Sequence, residues 1–364
     1  MEKLKIWYHS FFRTFVFHVF FWFVSLLFYV FLTGELKLFN NCLITFIPDF
    51  LLLHIFVLAL FLSSIFTILD SMLTDRLSRV FPLKFFTITR TFFYFTIVLL
   101  IFLPANYKLN ELKELLSGRN FELLLNGLDL SFFRFLVYFY LVAFLNNIFK
   151  DMVKRVGRGN YIKWLFGLLK KPIEEERIFM FIDMKSSTHK AERLGHEKFS
   201  FLVQDFFNDL SIVDNYNGEI YQYLGDGAII SWNLKAGLTN DNCIKSFFAF
   251  ERVIERGAKK YKKKYGMIPN FKAGMHVGKI MVLQVGTIRR DISYNGDTLN
   301  TAARIESLCS EMKRKLLISE DLFRLLPGKN KYLFKHLDNN RLKGKRRKIE
   351  IYEVRKKNLQ NHLS

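Results

Sequence analysis

Cysteine is almost missing from this chain: only Cys42, Cys243 and Cys309 occur, in no CxxC spacing and without a paired His. That excludes a disulfide framework and a cysteine-built metal centre, and a reducing cytoplasm suits whatever part folds in water. Acidic residues are also in short supply, 33 Asp and Glu against 54 Lys and Arg, for a formal net charge of +21. Such a balance raises the question of nucleic acid. No stripe interleaves Arg with aromatics, however, and the basic residues fall beside apolar segments or in the C-terminal half. Attraction to anionic lipid accounts for the charge more simply, a general compositional bias accounts for it equally well, and no nucleic-acid partner is expected.

Apolar residues are abundant and unevenly spread. Phe, with 42 copies, crowds the stretch before residue 150 together with Leu, Val and Ile, and charged residues dominate after it. A chain of 364 residues has room for two domains. Four apolar runs, Phe15–Leu32, Phe50–Leu69, Phe85–Leu103 and Phe132–Phe149, each approach the ~20 residues a helix needs to cross a ~30 Å hydrocarbon core. The first is too long for a signal peptide and lacks a small-residue cleavage site. Lys3, Lys5 and Arg13, then Arg76, Arg79, Lys84 and Arg90, then Lys150, Lys154, Arg155 and Arg158 put both termini and the second loop in the cytoplasm under the positive-inside rule.

The expectation is an all-α, four-helix transmembrane anchor over residues 1–149, multi-pass in the plasma (inner) membrane, with the lipid bilayer as its partner. Within it, Arg90 and Arg134 sit near span ends where they can snorkel, and His18 and His54 fall toward opposite faces rather than on one ion. No buried charge pair marks the runs as a transporter. Residues 150–176 form a basic connector whose apolar stretch, Tyr161–Leu169, is expected to lie on the membrane or form a short helix that transmits little more than position. Pro172 and the acidic run Glu174–Glu176 mark the domain boundary.

Beyond it, residues 177–358 read as an α+β domain with a mixed sheet flanked by helices, followed by a tail over 359–364. Arg177–Met184 is a strand, a helix follows the turn Lys185–Thr188, and Glu219–Leu224 and Ala228–Leu234 make a hairpin around Gly225-Asp226-Gly227. A long helix is expected over Asp241–Tyr265, a strand pair through Phe271–Val285, a helix from Asp297, and C-terminal strands over Tyr332–Val354 around a basic turn, Lys343–Arg347. Asp183 at a strand end and Asp226 in a tight turn can converge on cations, because adjacent strands lie only ~4.8 Å apart. Each taken singly reads as well as an N-cap or a turn former. The turn Lys185–Thr188 offers backbone N–H groups at a helix N-terminus, a natural phosphate seat. Asn300 and Arg304, four apart, share one helix face.

Together these blocks resemble the class III adenylate and guanylate cyclases. Phe181-Ile182-Asp183-Met184-Lys185-Ser186-Ser187-Thr188 resembles that family's first metal motif and Tyr223-Leu224-Gly225-Asp226-Gly227 its second. Ala273-Gly274-Met275-His276-Val277-Gly278 is similar to the strand that follows. Asn295-Gly296-Asp297-Thr298-Leu299-Asn300-Thr301-Ala302-Ala303-Arg304-Ile305-Glu306 resembles the transition-state helix, and Leu342-Lys343-Gly344-Lys345 the late phosphate turn. The resemblance implies a ferredoxin-like core and two divalent cations, Mg²⁺ or Mn²⁺, on Asp183, Asp226 and the backbone carbonyl of Met184. It also implies that Ser186, Ser187, Thr188 and Lys343 bind phosphates, that Asn300 orients the ribose, and that Arg304 meets charge on the α-phosphate. In that family the metal pair and the Asn–Arg pair come from different subunits, so a homodimer is implied. His276 has no role in such chemistry and is expected to be structural.

Purine choice falls on Gln222 and Ser293, where adenylate cyclases of the family usually carry Lys and Asp or Thr, and guanylate cyclases Glu and Cys. A Gln amide and a Ser hydroxyl can each donate or accept. Without a carboxylate at 222 the guanine donors lack a charged partner, which favours ATP over GTP. The expected function is a membrane-bound adenylate cyclase, the alternatives being a guanylate cyclase or a catalytically silent scaffold of the same fold.

Overall fold

The computed structural model describes residues 2–33, 51–77, 88–100 except 98, 130–337 except 157 and 289, and 349–357. Contacts divide the chain into two compact units, Met1–Arg155 and Val156–Ser364.

The first unit is helical: α1 (Glu2–Thr33), α2 (Leu51–Leu77), α3 (residues 88–97) and α4 (Leu130–Val156). Among the described residues one helix, Thr14–Leu32, is long and apolar enough to cross a membrane, and Ile55–Ser71 is apolar but shorter. Four such helices were expected from the runs. Charged and amide side chains, among them Asp70, Asp75, Arg134 and Asn146, punctuate α2 and α4, and the third run, Phe85–Leu103, lies in part outside the described residues. This unit has an apolar core around Trp22, Phe66 and Phe139, but it also exposes large apolar side chains and buries polar ones. Phe20, Phe31, Leu52, Phe92 and Val137 point outward, whereas His18, Ser63, Thr67, Arg90 and Asn147 are buried.

Those polar groups are paired. Asn146 Nδ2 donates to His18 Nδ1 at 3.4 Å, which leaves His18 Nε2 for Asp70 Oδ2 at 3.1 Å. Lys150 and the Tyr94 hydroxyl also reach Asp70, so one carboxylate ties α1, α2, α3 and α4 together. A buried charge pair is thus present where none was expected. Arg90 does not snorkel either: it is buried and donates through Nη2 to the Asn147 carbonyl at 3.3 Å. Aromatic rings fill the space between, with Trp22 stacked on Phe139 at 4.9 Å. The His54 side chain lies outside the described residues.

The second unit opens with a connector helix, α5 (Arg158–Leu165), and then alternates: β1 (Ile173–Met184), α6 (Ser187–Leu210), β2 (Glu219–Leu224), β3 (Gly227–Asn233), α7 (Leu234–Leu238), α8 (Asn242–Arg256), α9 (Ala258–Tyr265), β4 (Phe271–Val285), β5 (Asp291–Asn295), α10 (Asp297–Glu311), β6 (Leu316–Ser319), α11 (Glu320–Leu325), β7 (Tyr332–Leu337) and β8 (Ile351–Lys356). The sheet runs β2-β3-β1-β4-β6-β8-β7, with β5 paired to the far end of β4. Only β4 and β6 pair in parallel, so the sheet is mixed as expected.

Three details differ from the sequence reading. Glu174–Glu176 lie inside β1, not before it, because the strand pairs with β4 from Ile173 onward. The long helix is interrupted at Gly257, and Phe271–Val285 is one 15-residue strand whose hairpin partner is β5. Alternation sorts the strand side chains between two layers. Ile178, Met180 and Ile182 of β1 join Ala273 and Met275 of β4 under α6 and α8, while Phe179, Ile229, Ile280 and Val282 face the opposite layer with Leu169 and Ala302.

Candidate active site

Asp183 is the penultimate residue of β1 and pairs directly with Gly227 of β3, the residue after Asp226. The hairpin turn is tight because Gly225 adopts φ +58°, a conformation glycine takes without cost. A Cβ on Gly227 would meet the Ile182 carbonyl at 2.8 Å and Asp183 Oδ1 at 3.2 Å. Only glycine lets the two carboxylates come this close. Burial, then Asp226 and Glu306, push the Asp183 carboxyl up to about 6, with Lys272 acting against them. Asp226 Oδ2 is buried with no hydrogen-bond partner among the described residues. Two crowded carboxylates, one of them with an orphaned oxygen, fit hard divalent cations. No cluster of three or more His, Cys, Asp or Glu suited to a metal occurs among the described residues.

Two further charges at this strand end were not picked out from sequence. Lys272, opposite Asp183 on β4, lies 3.3 Å from Asp183 Oδ2 and 2.7 Å from Glu306 Oε1. Burial draws its ammonium pKa down, but Glu306 and Asp183 outweigh that and raise it. Lys190, in the first turns of α6, is lowered by burial and felt by both Asp226 and Asp183. It donates to the Lys185 carbonyl. Ser186 precedes α6 at φ +54° and caps it with no side-chain hydrogen bond, so the N–H groups at Ser187 and Thr188 face outward without a side-chain cap. Lys343 lies outside the described residues.

The helix α10 carries Asn300 and Arg304. It lies directly on β4 because two glycines admit it: a Cβ on Gly278 would strike Thr298 Oγ1 at 2.7 Å, and one on Gly274 would strike the Glu306 amide nitrogen at 2.1 Å. Thr298 Oγ1 further donates to the Lys279 carbonyl at 2.7 Å. Ala302, Ile305 and Cys309 are the buried side of the helix, and Glu306 turns from that side to Lys272. Asn300, exposed, and Arg304, half-buried, lie on the other side, and neither has a hydrogen-bond or ion-pair partner among the described residues.

Gln222 and Ser293 come together indirectly. Their chain neighbours, Tyr221 of β2 and Tyr294 of β5, stack at 4.4 Å, and the Tyr294 N–H donates to the Tyr221 hydroxyl at 3.3 Å. Gln222 is exposed, and Ser293 Oγ donates to Asn295 Oδ1 at 3.0 Å. His276 is buried and bonded to Ser319 Oγ at 2.8 Å, a structural position.

Across known proteins, the family described as the adenylate and guanylate cyclase catalytic domain matches residues 170–356, half of the chain. The chain belongs to that family. Its cyclase domain is similar to Adenylate cyclase 2 of Rhizobium meliloti (strain 1021), 34% identical over 200 residues that make up 55% of each chain. It is also similar to an adenylate cyclase of Anabaena cylindrica, 27% identical over 188 residues, 48% of this chain and 36% of that one. The chain therefore spans about half or less of the length of these relatives. A solved bacterial light-regulated adenylyl cyclase shares the cyclase fold with a TM-score of 0.50 at 19% identity, over 62% of this chain and 65% of that one.

Proposed function

We propose that this chain is a membrane-anchored adenylate cyclase that converts ATP to 3′,5′-cyclic AMP and pyrophosphate in a site completed by a second copy of itself. The observation that carries the reading is the pair Asp183 and Asp226 at one strand end, the first carboxyl raised to about 6 and the second with an orphaned oxygen. Two divalent cations, Mg²⁺ or Mn²⁺, bound by these carboxylates and the Met184 carbonyl, would neutralise the triphosphate and acidify the ribose 3′-hydroxyl. Everything else falls to the chain's own groups. The N–H groups at Ser186, Ser187 and Thr188, with Lys343, hold phosphate oxygens. The ribose 3′-oxygen attacks the α-phosphorus, the bond to the bridging oxygen breaks, and pyrophosphate leaves with that electron pair. Arg304 meets the charge that develops on the α-phosphate, an effect worth roughly 10³-fold, and Asn300 orients the ribose.

The exposed side of α10 supports a two-chain site, since Asn300 is exposed and Arg304 half-buried, off the side on which the helix packs into its own chain. Gln222 and Ser293 select the base. The absence of a carboxylate at 222 supports ATP over GTP, as does the adenylate cyclase activity named for both relatives. Apolar side chains outside and polar ones inside support a multi-pass anchor for the first unit, with its four helices in the plasma (inner) membrane and the catalytic unit in the cytoplasm.

The test is the full chain in lipid nanodiscs with Mn²⁺ and ATP or GTP. ATP is expected to give cyclic AMP and pyrophosphate. Asp226→Ala and Arg304→Ala are each expected to be inactive and, when mixed, to regain up to about a quarter of the wild-type rate from the heterodimer's one intact site. Cyclic GMP from GTP alone refutes the substrate, and heterodimers that form without regaining activity refute the shared site.

A further inference from the structure

We infer that the connector helix sets the purine pocket, with Asn160 and Tyr294 as positioning residues that align Gln222 and Ser293. The inference rests on the adenylate cyclase reading above and names the device that tunes its base selection. Asn160, on α5, is buried, and its Nδ2 donates to the Tyr294 hydroxyl at 2.6 Å. Its Oδ1 has no hydrogen-bond partner among the described residues, so this one bond orients the carboxamide. A buried polar group held through a single bond is sensitive to small shifts of either partner.

Tyr294 is the junction. Its ring stacks on Tyr221 at 4.4 Å, meets Phe179 edge-on at 5.7 Å, and lies over the Arg177 guanidinium at 4.9 Å. Tyr221 immediately precedes Gln222, and Tyr294 immediately follows Ser293. At Tyr221 the pairing of β2 with β3 also shifts register, between Ile220 and Gln222. A second line runs in parallel. Lys163 of α5 binds Glu175, Arg177 Nη1 binds Glu175 at 3.1 Å, and Arg177 Nη2 reaches Glu219 of β2 at 3.0 Å and Ser231 at 3.1 Å.

Packing extends the same connection to the transition-state helix. Trp164 and Leu169 from the connector share one small core with Phe179, Tyr294 and the α10 residues Leu299 and Ala302, which flank Asn300. A rotation of α5 thus displaces the strand that carries Ser293 and presses on the helix that carries Asn300.

The experiment compares wild type, Tyr294→Phe, Asn160→Leu and the double variant as full-length protein, with Ile254→Ala, buried in the opposite core layer, as a packing control. Two readouts are taken: kcat/KM for ATP and GTP, and calorimetric affinity for 3′-deoxy-ATP and 3′-deoxy-GTP, which bind without cyclising. Each single variant is expected to reduce the ATP-over-GTP ratio in both readouts by about 5-fold or more, and the double variant no further than Tyr294→Phe, because the Asn160–Tyr294 bond is lost in all three and the hydroxyl's bond to Ser231 is lost in both proteins that carry Phe. Ile254→Ala, in the opposite core layer, is expected to lower Tm and leave the ratio alone. Unchanged ratios in the single variants, or a double variant whose loss is the product of the singles, overturn the inference. A wild type that discriminates between the deoxynucleotides without cyclising ATP refutes the enzymatic reading, while the affinity ratios still decide the role of Asn160 and Tyr294.

Discussion

Gly274→Ala tests how finely the reacting helix is seated. The new Cβ would lie 2.1 Å from the Glu306 amide nitrogen, 2.6 Å from its Cα and 2.7 Å from the Ile305 carbonyl carbon. All three are backbone atoms of α10, so no side chain can swing aside. Ordinary contact begins at 3.4 Å, which requires the helix to retreat by about 1.3 Å. Asn300 and Arg304 travel with it, and the Lys272–Glu306 pair at 2.7 Å is stretched. Overpacking of this kind costs about 1–3 kcal/mol in stability, and a ~1 Å misplacement of reacting groups costs about 100-fold in rate. The assay is steady-state cyclic AMP formation, with Tm recorded alongside. The expected result is a folded protein with kcat/KM down by about 100-fold. Partial rescue is expected on mixing with Asp226→Ala, which supplies an intact α10 to the Gly274→Ala chain's carboxylates, and none on mixing with Arg304→Ala. A Gly274→Ala enzyme with kcat/KM within about twofold of wild type and an unchanged Tm would refute the reasoning, since that is near the scatter of ordinary surface substitutions.

Two further outcomes follow from the charges. Asp183 has a folded pKa raised to about 6 from 3.8, so without metal its contribution to stability is full below pH ~3.8 and is lost as pH rises through about 6. In EDTA the Tm difference between wild type and Asp183→Asn is expected to move against wild type between pH 4.5 and 7, and Mn²⁺ is expected to restore wild type only, above about pH 6; a difference flat across this range refutes the shift. In the first unit, Asp70→Leu removes the carboxylate that answers Lys150, His18 and Tyr94. Stranding a buried cation costs about 3–5 kcal/mol, to be read as a lower Tm in nanodiscs, and Lys150→Met in the same chain is expected to recover most of it.

Much of the catalytic unit was legible in the sequence because its chemistry sits in turns and strand ends. Asp183, Asp226 and the i,i+4 pair Asn300 and Arg304 were candidates by spacing and by the family resemblance together, and the structure brings Asp183 beside the hairpin that holds Asp226. What escaped was lateral. Lys272 reads as one more basic residue until the pairing of β4 with β1 sets it opposite Asp183. Tyr221 and Tyr294 read as strand aromatics until β5 folds back and stacks them. In the anchor, apolar runs bounded by hydropathy ended at Leu69 and Phe149, one residue short of Asp70 and Lys150, so the partners fell just outside each boundary. The connector was underrated for a related reason. Its apolar stretch suits a membrane surface and a protein core equally, and only the shared packing of Trp164 and Leu169 with Tyr294 distinguishes the two.

Lys272 has a consequence for how the domain comes into being. Between Asp183 and Glu306 it acts as a placeholder cation, present from the moment the strands pair. A site built only of carboxylates would repel itself until metal arrived, and folding would then wait on cation supply, as it does in small zinc modules. Here the chain carries its own counter-charge through synthesis and assembly. On the proposed reading a divalent cation would meet a finished scaffold and would compete with the Lys272 amine for Asp183, so folding would precede loading.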